Sequence, residues 1–354
     1  MPALMPTIRR VRHQCRRLRD LLYVGLGLTF AACQPQRDQS DISATPPVGH
    51  YEGSITAVGQ PEVRGALDIR HPSPGHYEAE LTVPTASTLS FVADTILFSN
   101  NQLRLARPGH PSQTLTLKLD GDFWRGALAL DSAQALTILV KRGVPSPSAY
   151  RVEKVLQAAG TAWLFAPSDT GTPGAALVLM PDAETAPTAA LWADALARAG
   201  IIVLLLPAVD MATITAETVR LQAILHLLRG TAGADTANVG TWAAGPRATT
   251  MAQVLAESLR LHPAFFIAQN PDIDATGRTA FRELKRRNLP ILGLYGGPMT
   301  NRRAAAMRNA VGGRRGATVR AYRTAGSNLL VPSGLGPRFG PGLPADVVEW
   351  LRSR

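Results

Sequence analysis

The segment "ADTANVGTWAAGPRATTMAQVLAESL", residues 234–259, decides the fold prediction for this chain. Its apolar centre predicts a short buried strand, and the segment from Pro246 onward has the composition of a helix. Gly245 stands at the tip of the tight turn between the two. Several enzyme folds present a Ser or Cys nucleophile at this point of a strand, turn and helix. Either an active site or the scaffold of a former one is therefore expected here.

Similar strands and helices alternate throughout residues 150–354. Apolar or β-rich runs occupy residues 175–180, 201–206, 238–242, 264–268, 290–295 and 317–322, and predicted helices span about 187–199, 214–229, 246–259, 278–286, 301–311 and 344–353. Strands buried on both faces and separated by helices indicate a mostly parallel sheet with helices on both faces. A ligand crevice would then lie at the carboxyl ends of the strands.

Residues 49–143 follow a different pattern. Apolar and polar residues alternate in "GALDIR", "YEAELTV", "QLRLA", "QTLTLKLD" and "ALTILVKRG", with Gly, Pro and Asn-Asn breaks between them. Short strands at this spacing predict a small all-β domain, an antiparallel barrel or sandwich. The segment "VPSPSAY", residues 144–150, predicts the linker to the second domain.

The amino terminus predicts export. Six arginines precede the apolar stretch "LLYVGLGLTFAA", which is too short to span a bilayer, so residues 1–32 are interpreted as a signal peptide. The junction "TFAAC" resembles the lipobox of bacterial lipoproteins, which implies that Cys33 is lipidated and anchors the chain to a membrane, with residues 33–48 as a polar tether. A cleaved signal with an incidental cysteine is the alternative.

Composition limits the classes of partner. The formal net charge of +11 falls to +6 without the signal, because six Arg and one Asp leave 31 basic and 25 acidic residues. An exported chain without a nucleic-acid motif is not expected to bind nucleic acid. Cys15 lies in the signal, so no disulfide is expected in the mature chain. We predict localisation in the cell envelope, and Gln34 after Cys33 favours the outer membrane.

The order of motifs resembles one known family, the exported bacterial α/β-hydrolases of the serine-esterase and dienelactone-hydrolase-like type with an amino-terminal β domain. The segments that carry the resemblance are "ALVLMPDAE", "ALARAGIIVLLL", "VGTWAAGPRA", "LPILGLYGG", "VRAYRTAGSNLL" and "VVEWLRSR". The resemblance covers about residues 50–354. It implies an α/β-hydrolase-like fold and a Ser-His-Asp triad on three loops.

None of the three positions that match the triad carries the residue that the chemistry needs. The nucleophile position is Gly245, the acid position in "YGGPM" is Met299, and the histidine position in "AGSN" is Ser327. Asp182 stands where the family has an oxyanion-hole loop, and a carboxylate there would repel a developing oxyanion. The resemblance therefore predicts a degenerate triad and the loss of catalysis.

Gly245 and Pro246 suit the turn without any catalytic role, since glycine tolerates a left-handed backbone and proline suits the first helical turn. Arg247 stands where the family has a small residue, which suggests a relaxed turn. We predict Trp242, Asp182 and Pro246 as possible lining of an emptied crevice. No metal-ligand spacing and no cofactor motif are found, and His226 and His262 are interpreted as surface residues.

An arginine-rich stretch follows the Met299 loop. Arg302, Arg303, Arg314 and Arg315 are candidates for contact with anionic headgroups or an acidic polymer, and a solvated surface is the alternative. The favoured interpretation is a lipid-anchored pseudo-hydrolase that binds a small-molecule or envelope ligand. The alternatives are a divergent serine-type ester or peptide hydrolase and a purely structural envelope lipoprotein.

Overall fold

The alternating segments of the first half form one antiparallel sheet in the computed structural model, which describes residues 45–131, 133–157, 160–209, 213–312 and 317–354. The predicted signal peptide, Cys33 and most of the tether lie outside the described residues. The strands of this first sheet are β1 (Gly49–Thr56), β2 (Val63–Ser73), β3 (His76–Thr82), β4 (Phe91–Ala93), β5 (Ile96–Ser99), β6 (Gln102–Arg107), β7 (His110–Asp120), β8 (Phe123–Ala129) and β9 (Gln134–Gly143).

The first sheet is nearly closed into a barrel. Its strand order among the described residues is β4-β3-β2-β1-β9-β8-β7-β6-β5, and β4 and β5 at its two edges contact β6 and β3 respectively. Alternate side chains point inward, as the period-two pattern requires. Trp124 is fully buried at the centre, with the rings of Tyr51 and Phe98 packed edge-on at 6.0 and 6.1 Å between centroids.

The second half forms a mostly parallel sheet. Its strands are β10 (Tyr150–Gln157), β11 (Gly160–Pro167), β12 (Gly174–Met180), β13 (Ile202–Leu205), β14 (Ala234–Ala244), β15 (Phe266–Gln269), β16 (Ile291–Tyr295) and β17 (Ala317–Ala321). Their order is β10-β11-β13-β12-β14-β15-β16-β17, with β10 and β11 antiparallel to their neighbours and the other pairs parallel. Sequence analysis did not identify β10 and β11, because their polar edge residues interrupt the apolar runs.

The helices in the described residues are α1 (Ala186–Arg198), α2 (Ile214–Arg229), α3 (Gly245–Glu257), α4 (Ala275–Arg286), α5 (Thr300–Ala310) and α6 (Ala345–Arg352). Each overlaps its predicted range, and α4 begins three residues earlier because Asp274 caps it through a bond from the Gly277 amide at 2.7 Å. A short hairpin of β18 (Leu330–Val331) and β19 (Arg338–Phe339) precedes α6. None of the described helices is long and apolar enough to cross a membrane.

Alternate residues of β12 enter two different hydrophobic clusters. Leu177 and Leu179 pack with side chains of α1 and α6, and Val178 and Met180 pack with side chains of α2, α3, α4 and α5. Successive strand residues point to opposite faces of a sheet, so the core of the second half has two layers.

A buried ion pair joins the two sheets. Arg107 at the end of β6 is wholly inaccessible, and its Nε donates to Asp194 Oδ2 of α1 at 2.8 Å. Its other donors bind Thr88 O at 2.6 Å, Gln113 Oε1 at 2.8 Å, Ser90 O at 2.9 Å and again Asp194. All five N–H donors of the guanidinium are therefore bonded.

Tyr150 completes this junction. Its hydroxyl donates to Asp194 Oδ1 and accepts from the Val92 amide at 3.0 Å, so it links β10 to both α1 and β4. Burial raises the pKa of the Asp194 carboxyl above its usual value, and the charge of Arg107 opposes that shift. Burial also raises the pKa of the Tyr150 phenol well above its usual value.

Removing either charge of this pair is expected to lower the free energy of unfolding. Arg107→Met or Asp194→Leu alone leaves an unpaired buried charge, which costs about 3–5 kcal/mol, and the double variant should lose much less than the sum of the two. Urea unfolding measures the free energies. The matched control is Arg125→Met, whose exposed pair with Asp120 should be worth at most about 1 kcal/mol. Additive losses in the double variant would contradict the coupling.

Candidate functional site

The turn between β14 and α3 has the geometry that the sequence predicts. Ala244 is extended, with φ −116° and ψ 152°, and Gly245 has φ +55°. Pro246 follows in the first turn of α3, and it is exposed. Because glycine adopts a left-handed backbone without the cost that other residues meet, the turn is unstrained.

The space in front of Gly245 is filled by a carboxylate. A Cβ built on Gly245 would lie 1.8 Å from Oδ2 of Asp182, in the loop after β12. Asp182 is held there by Thr185, whose amide and hydroxyl donate to Oδ1 at 2.9 and 2.6 Å. The place that a nucleophilic side chain would occupy is therefore taken.

Arg247 is buried beneath the turn and binds the loops beside it. The sequence-based suggestion that Arg247 had relaxed the tight turn is therefore wrong. The residue is only 3% exposed, and its Nη1 donates to the carbonyls of Pro181 and Pro207 at 3.1 and 3.2 Å. Its Nη2 donates to both carboxylate oxygens of buried Glu217 at 3.1 and 3.3 Å. Burial lowers the pKa of Arg247, and Glu217 opposes that shift. The guanidinium thus ties α3 to the loops after β12 and β13.

Ser327 lies where three loops meet. Its hydroxyl donates to Glu184 Oε1, and its carbonyl accepts from Gln269 Nε2 at 2.9 Å and Asn270 Nδ2 at 2.6 Å. Sequence analysis missed all three partners. The available signal was position, since Glu184 follows β12 closely and Gln269 and Asn270 lie at the end of β15.

The loop after β12 contacts two of the three positions that sequence analysis matched to a triad. Asp182 fills the space at Gly245, and Glu184 binds Ser327 two residues later. Met299, the third position, precedes α5 in a left-handed conformation with φ 57°, and it is 58% exposed. Its side chain therefore lies largely in solvent.

Trp242 does not line a crevice, contrary to the sequence-based expectation. It is fully buried, its indole N–H donates to Gln269 Oε1 at 3.1 Å, and its ring lies 4.9 Å from that of Trp192. The residue is part of β14, whose side chains face the core on both sides because the strand is central.

The crevice that Ser327 lines lies between the two halves of the chain. It has a volume of about 1050 Å³, and its walls are the segment 326–328, the β18–β19 loop, the turn 57–60 and, from the first sheet, Leu130, Ala133 and Gln134. Its described lining contains no charged residue. Most lining residues are Ala, Val, Leu, Pro or Gly, and five carry an amide or a hydroxyl: Gln60, Gln134, Ser327, Asn328 and Ser333. Gly245, Asp182, Pro246 and Met299 are not part of that lining.

Neither histidine of the second half lies at this crevice. His226 is exposed on α2, and His262 is exposed in the turn before β15, as predicted. Within the described ranges no group of three or more His, Cys, Asp or Glu could hold a metal ion. The crevice lining thus offers hydroxyls and amides but no imidazole to act as a general base.

The arginine-rich stretch is partly engaged inside the chain. Arg303 donates to Asn270 O at 2.7 Å and to Asp272 Oδ1 at 3.2 Å. Arg302 is exposed, and Arg314 and Arg315 lie outside the described residues. Of the four candidates for anionic contact, Arg302 is the described one whose side chain faces solvent.

A serine placed in the turn should be unfavourable because of Asp182. Gly245→Ser meets both the left-handed backbone and the Asp182 carboxylate, so we expect a loss of unfolding free energy of at least about 1–3 kcal/mol. In an Asp182→Gly background the same change should cost clearly less, with Asp182→Gly alone as the reference. Urea unfolding compares the two losses, and equal losses would show that Asp182 does not fill the site.

No family model matches the sequence and no curated protein does. Among solved structures, one similar chain is described as a dienelactone hydrolase from Klebsiella pneumoniae, with 12% identity and a TM-score of 0.43, covering 58% of this chain and 100% of that one. Another is dipeptidyl peptidase 4 from Porphyromonas gingivalis, with 12% identity and a TM-score of 0.42. That match covers 82% of this chain and 48% of the peptidase, so this chain spans about half of its length.

Proposed function

We propose that this protein is a lipid-anchored envelope protein with an α/β-hydrolase-like fold, helices on both faces of its parallel sheet, and no serine-hydrolase chemistry. Its role is to bind a ligand. The single observation that carries the proposal is the Asp182 carboxylate in the space of the nucleophile at Gly245. A serine at this position would have to displace the Asp182 carboxylate as well as replace the glycine.

The functional groups of all three triad roles are missing from the matching positions. Gly245 has no side chain, Met299 has no titratable group, and Ser327 replaces the base. Removal of the nucleophile alone lowers kcat by about 10⁶ where a full triad operates. A negative carboxylate beside the turn would also oppose the oxyanion of an acyl transfer.

The crevice at Ser327 supports a binding role. Its uncharged lining combines apolar residues with five side chains that carry an amide or a hydroxyl, which suits an uncharged small molecule or envelope ligand, since those five groups can form hydrogen bonds to it. A volume of about 1050 Å³ is sufficient for a ligand of several hundred daltons.

One observation favours a second candidate function, a divergent ester or peptide hydrolase. Ser327 lines the crevice, and its hydroxyl donates to the Glu184 carboxylate. A carboxylate can accept a proton from a hydroxyl, although it is a much weaker base than imidazole. In that case Ser327 would be the nucleophile and Glu184 its base.

Covalent labelling separates the two candidates. We expect the purified protein to remain unlabelled by a fluorophosphonate probe and to leave p-nitrophenyl esters intact, with an active serine esterase run in parallel. Ser327→Ala is the diagnostic variant. Labelling that disappears in Ser327→Ala would overturn the proposal and establish the second candidate function.

The anchor is a separate part of the proposal. The signal-like residues 1–32 and the lipobox-like "TFAAC" support export and lipidation of Cys33, and the residue that follows favours the outer membrane. Contact of Arg302, Arg303, Arg314 and Arg315 with anionic headgroups would add an electrostatic attraction to such an anchor.

Replacement of Cys33 should release the protein from membranes. Cys33→Ser is expected to move the protein from the membrane pellet to the supernatant and to abolish incorporation of labelled palmitate, because the anchoring thiol is gone. Cys15→Ser, which changes the other cysteine of the chain, is the matched control and should change neither. Retention of Cys33→Ser in the membrane fraction would contradict a lipid anchor at this residue.

A further inference from the structure

A second cavity, of about 630 Å³, lies where the edges of the two sheets meet. On one side its walls are residues of β5, β6 and β7, and on the other side they are residues of β10 and β11 and the segment 205–208 that ends β13. It shares no described lining residue with the crevice at Ser327. The two cavities are therefore distinct sites.

The junction between the two halves of the chain fixes the positions of the walls of this cavity. At its floor, Arg107 is fixed by the bonds to Asp194 and to the backbone of Thr88 and Ser90. The next turn brings Gly109, with φ +75°, so close to the second half that an added Cβ would lie 2.6 Å from Leu205 Cδ2. The walls are thus positioned by a buried network, which favours a preformed pocket.

Apolar side chains make up most of the lining. Leu97, Pro108, Trp163, Leu205, Leu206 and Pro207 come from both sheets. Leu97 is 62% exposed, although most large aliphatic side chains of this chain are buried. Pro108, Leu205 and Leu206 are already buried, so a hydrocarbon chain would gain free energy mainly by displacing water from Leu97 and from the half-buried Trp163 and Pro207.

Three cations accompany this apolar lining, and one of them, Arg107, is paired with Asp194. Arg104 of β6 and Lys154 of β10 both line the cavity from opposite sheets, and both are exposed. Neither forms an ion pair or a side-chain hydrogen bond within the described part of the chain. No described lining residue is acidic. An anion at this cavity would therefore meet two unpaired positive charges and no nearby repulsion from the lining.

We propose that this cavity binds a single-chain anionic amphiphile, a molecule of the fatty-acid type. The hydrocarbon chain lies along Leu97, Trp163 and Pro207, and the carboxylate pairs with Arg104 and Lys154. Charge-assisted bonds select the headgroup, and the apolar walls select a chain. This inference is independent of whether the crevice at Ser327 binds or hydrolyses a ligand.

Binding of dodecanoate to the purified full-length protein tests the proposal, with titration calorimetry as the measurement. Dodecanol and dodecyltrimethylammonium, which carry the same chain with a neutral and a positive headgroup, are the comparison ligands. We expect saturable binding of dodecanoate at least about tenfold tighter than of either, because only the carboxylate pairs with the two cations.

Three variants locate the site. Arg104→Gln with Lys154→Gln should weaken dodecanoate binding about tenfold or more and leave dodecanol binding unchanged. Ala106→Trp, which fills the cavity from its lining, should weaken both. The matched control, Arg64→Gln with Lys118→Gln, removes the same charge from exposed positions of the first sheet outside the cavity and should change neither.

Circular dichroism establishes that each variant is folded. The proposal is overturned if the Arg104 and Lys154 variant binds dodecanoate as tightly as the wild type, if Ala106→Trp has no effect, or if the cationic ligand binds as well as the anionic one. Ser327→Trp, which obstructs the other crevice, should leave dodecanoate binding intact, so a failure of the proposed function at that crevice is distinguishable from a failure here.

Discussion

The ion pair between Arg107 and Asp194 is the interaction on which the arrangement of this molecule depends. It places a charged guanidinium where no water reaches, and each of its N–H groups has an acceptor. A buried charge is tolerated only when it is paired and hydrogen-bonded. The acceptors belong to the first half of the chain and to α1 of the second half. All of the hydrogen bonds of Arg107 therefore form only when the two halves are packed in this arrangement. Both cavities lie along that junction.

A second buried ion pair, Arg247 with Glu217, has the corresponding role at the turn between β14 and α3. It fixes the loop after β12 through the carbonyl of Pro181, and the next residue is Asp182. The carboxylate that fills the nucleophile space is therefore rigidly supported. Gly245 adopts the left-handed conformation of this turn at no steric cost, and the Asp182 carboxylate lies where a Cβ at this position would be.

The two cavities differ in chemistry because they are bordered by different parts of the sheets. The crevice at Ser327 is bordered by turns and loops, whose residues are uncharged and include five that carry an amide or a hydroxyl. The other cavity is bordered by strand edges, where apolar residues that would be covered inside a sheet remain accessible beside two cations. The first cavity is therefore lined by uncharged residues and the second by apolar residues with cations.

The sequence by itself determined the alternation of strands and helices, the strand, turn and helix at Gly245, and the absence of Ser, Asp and His from the three matching positions. These properties depend on local periodicity and residue type. Only the tertiary structure decided that Asp182 fills the turn, that Glu184 binds Ser327, that Trp242 is buried and that Arg104 and Lys154 line one cavity. Those residues are far apart in the chain and are brought together by the order of the strands, which no local pattern encodes.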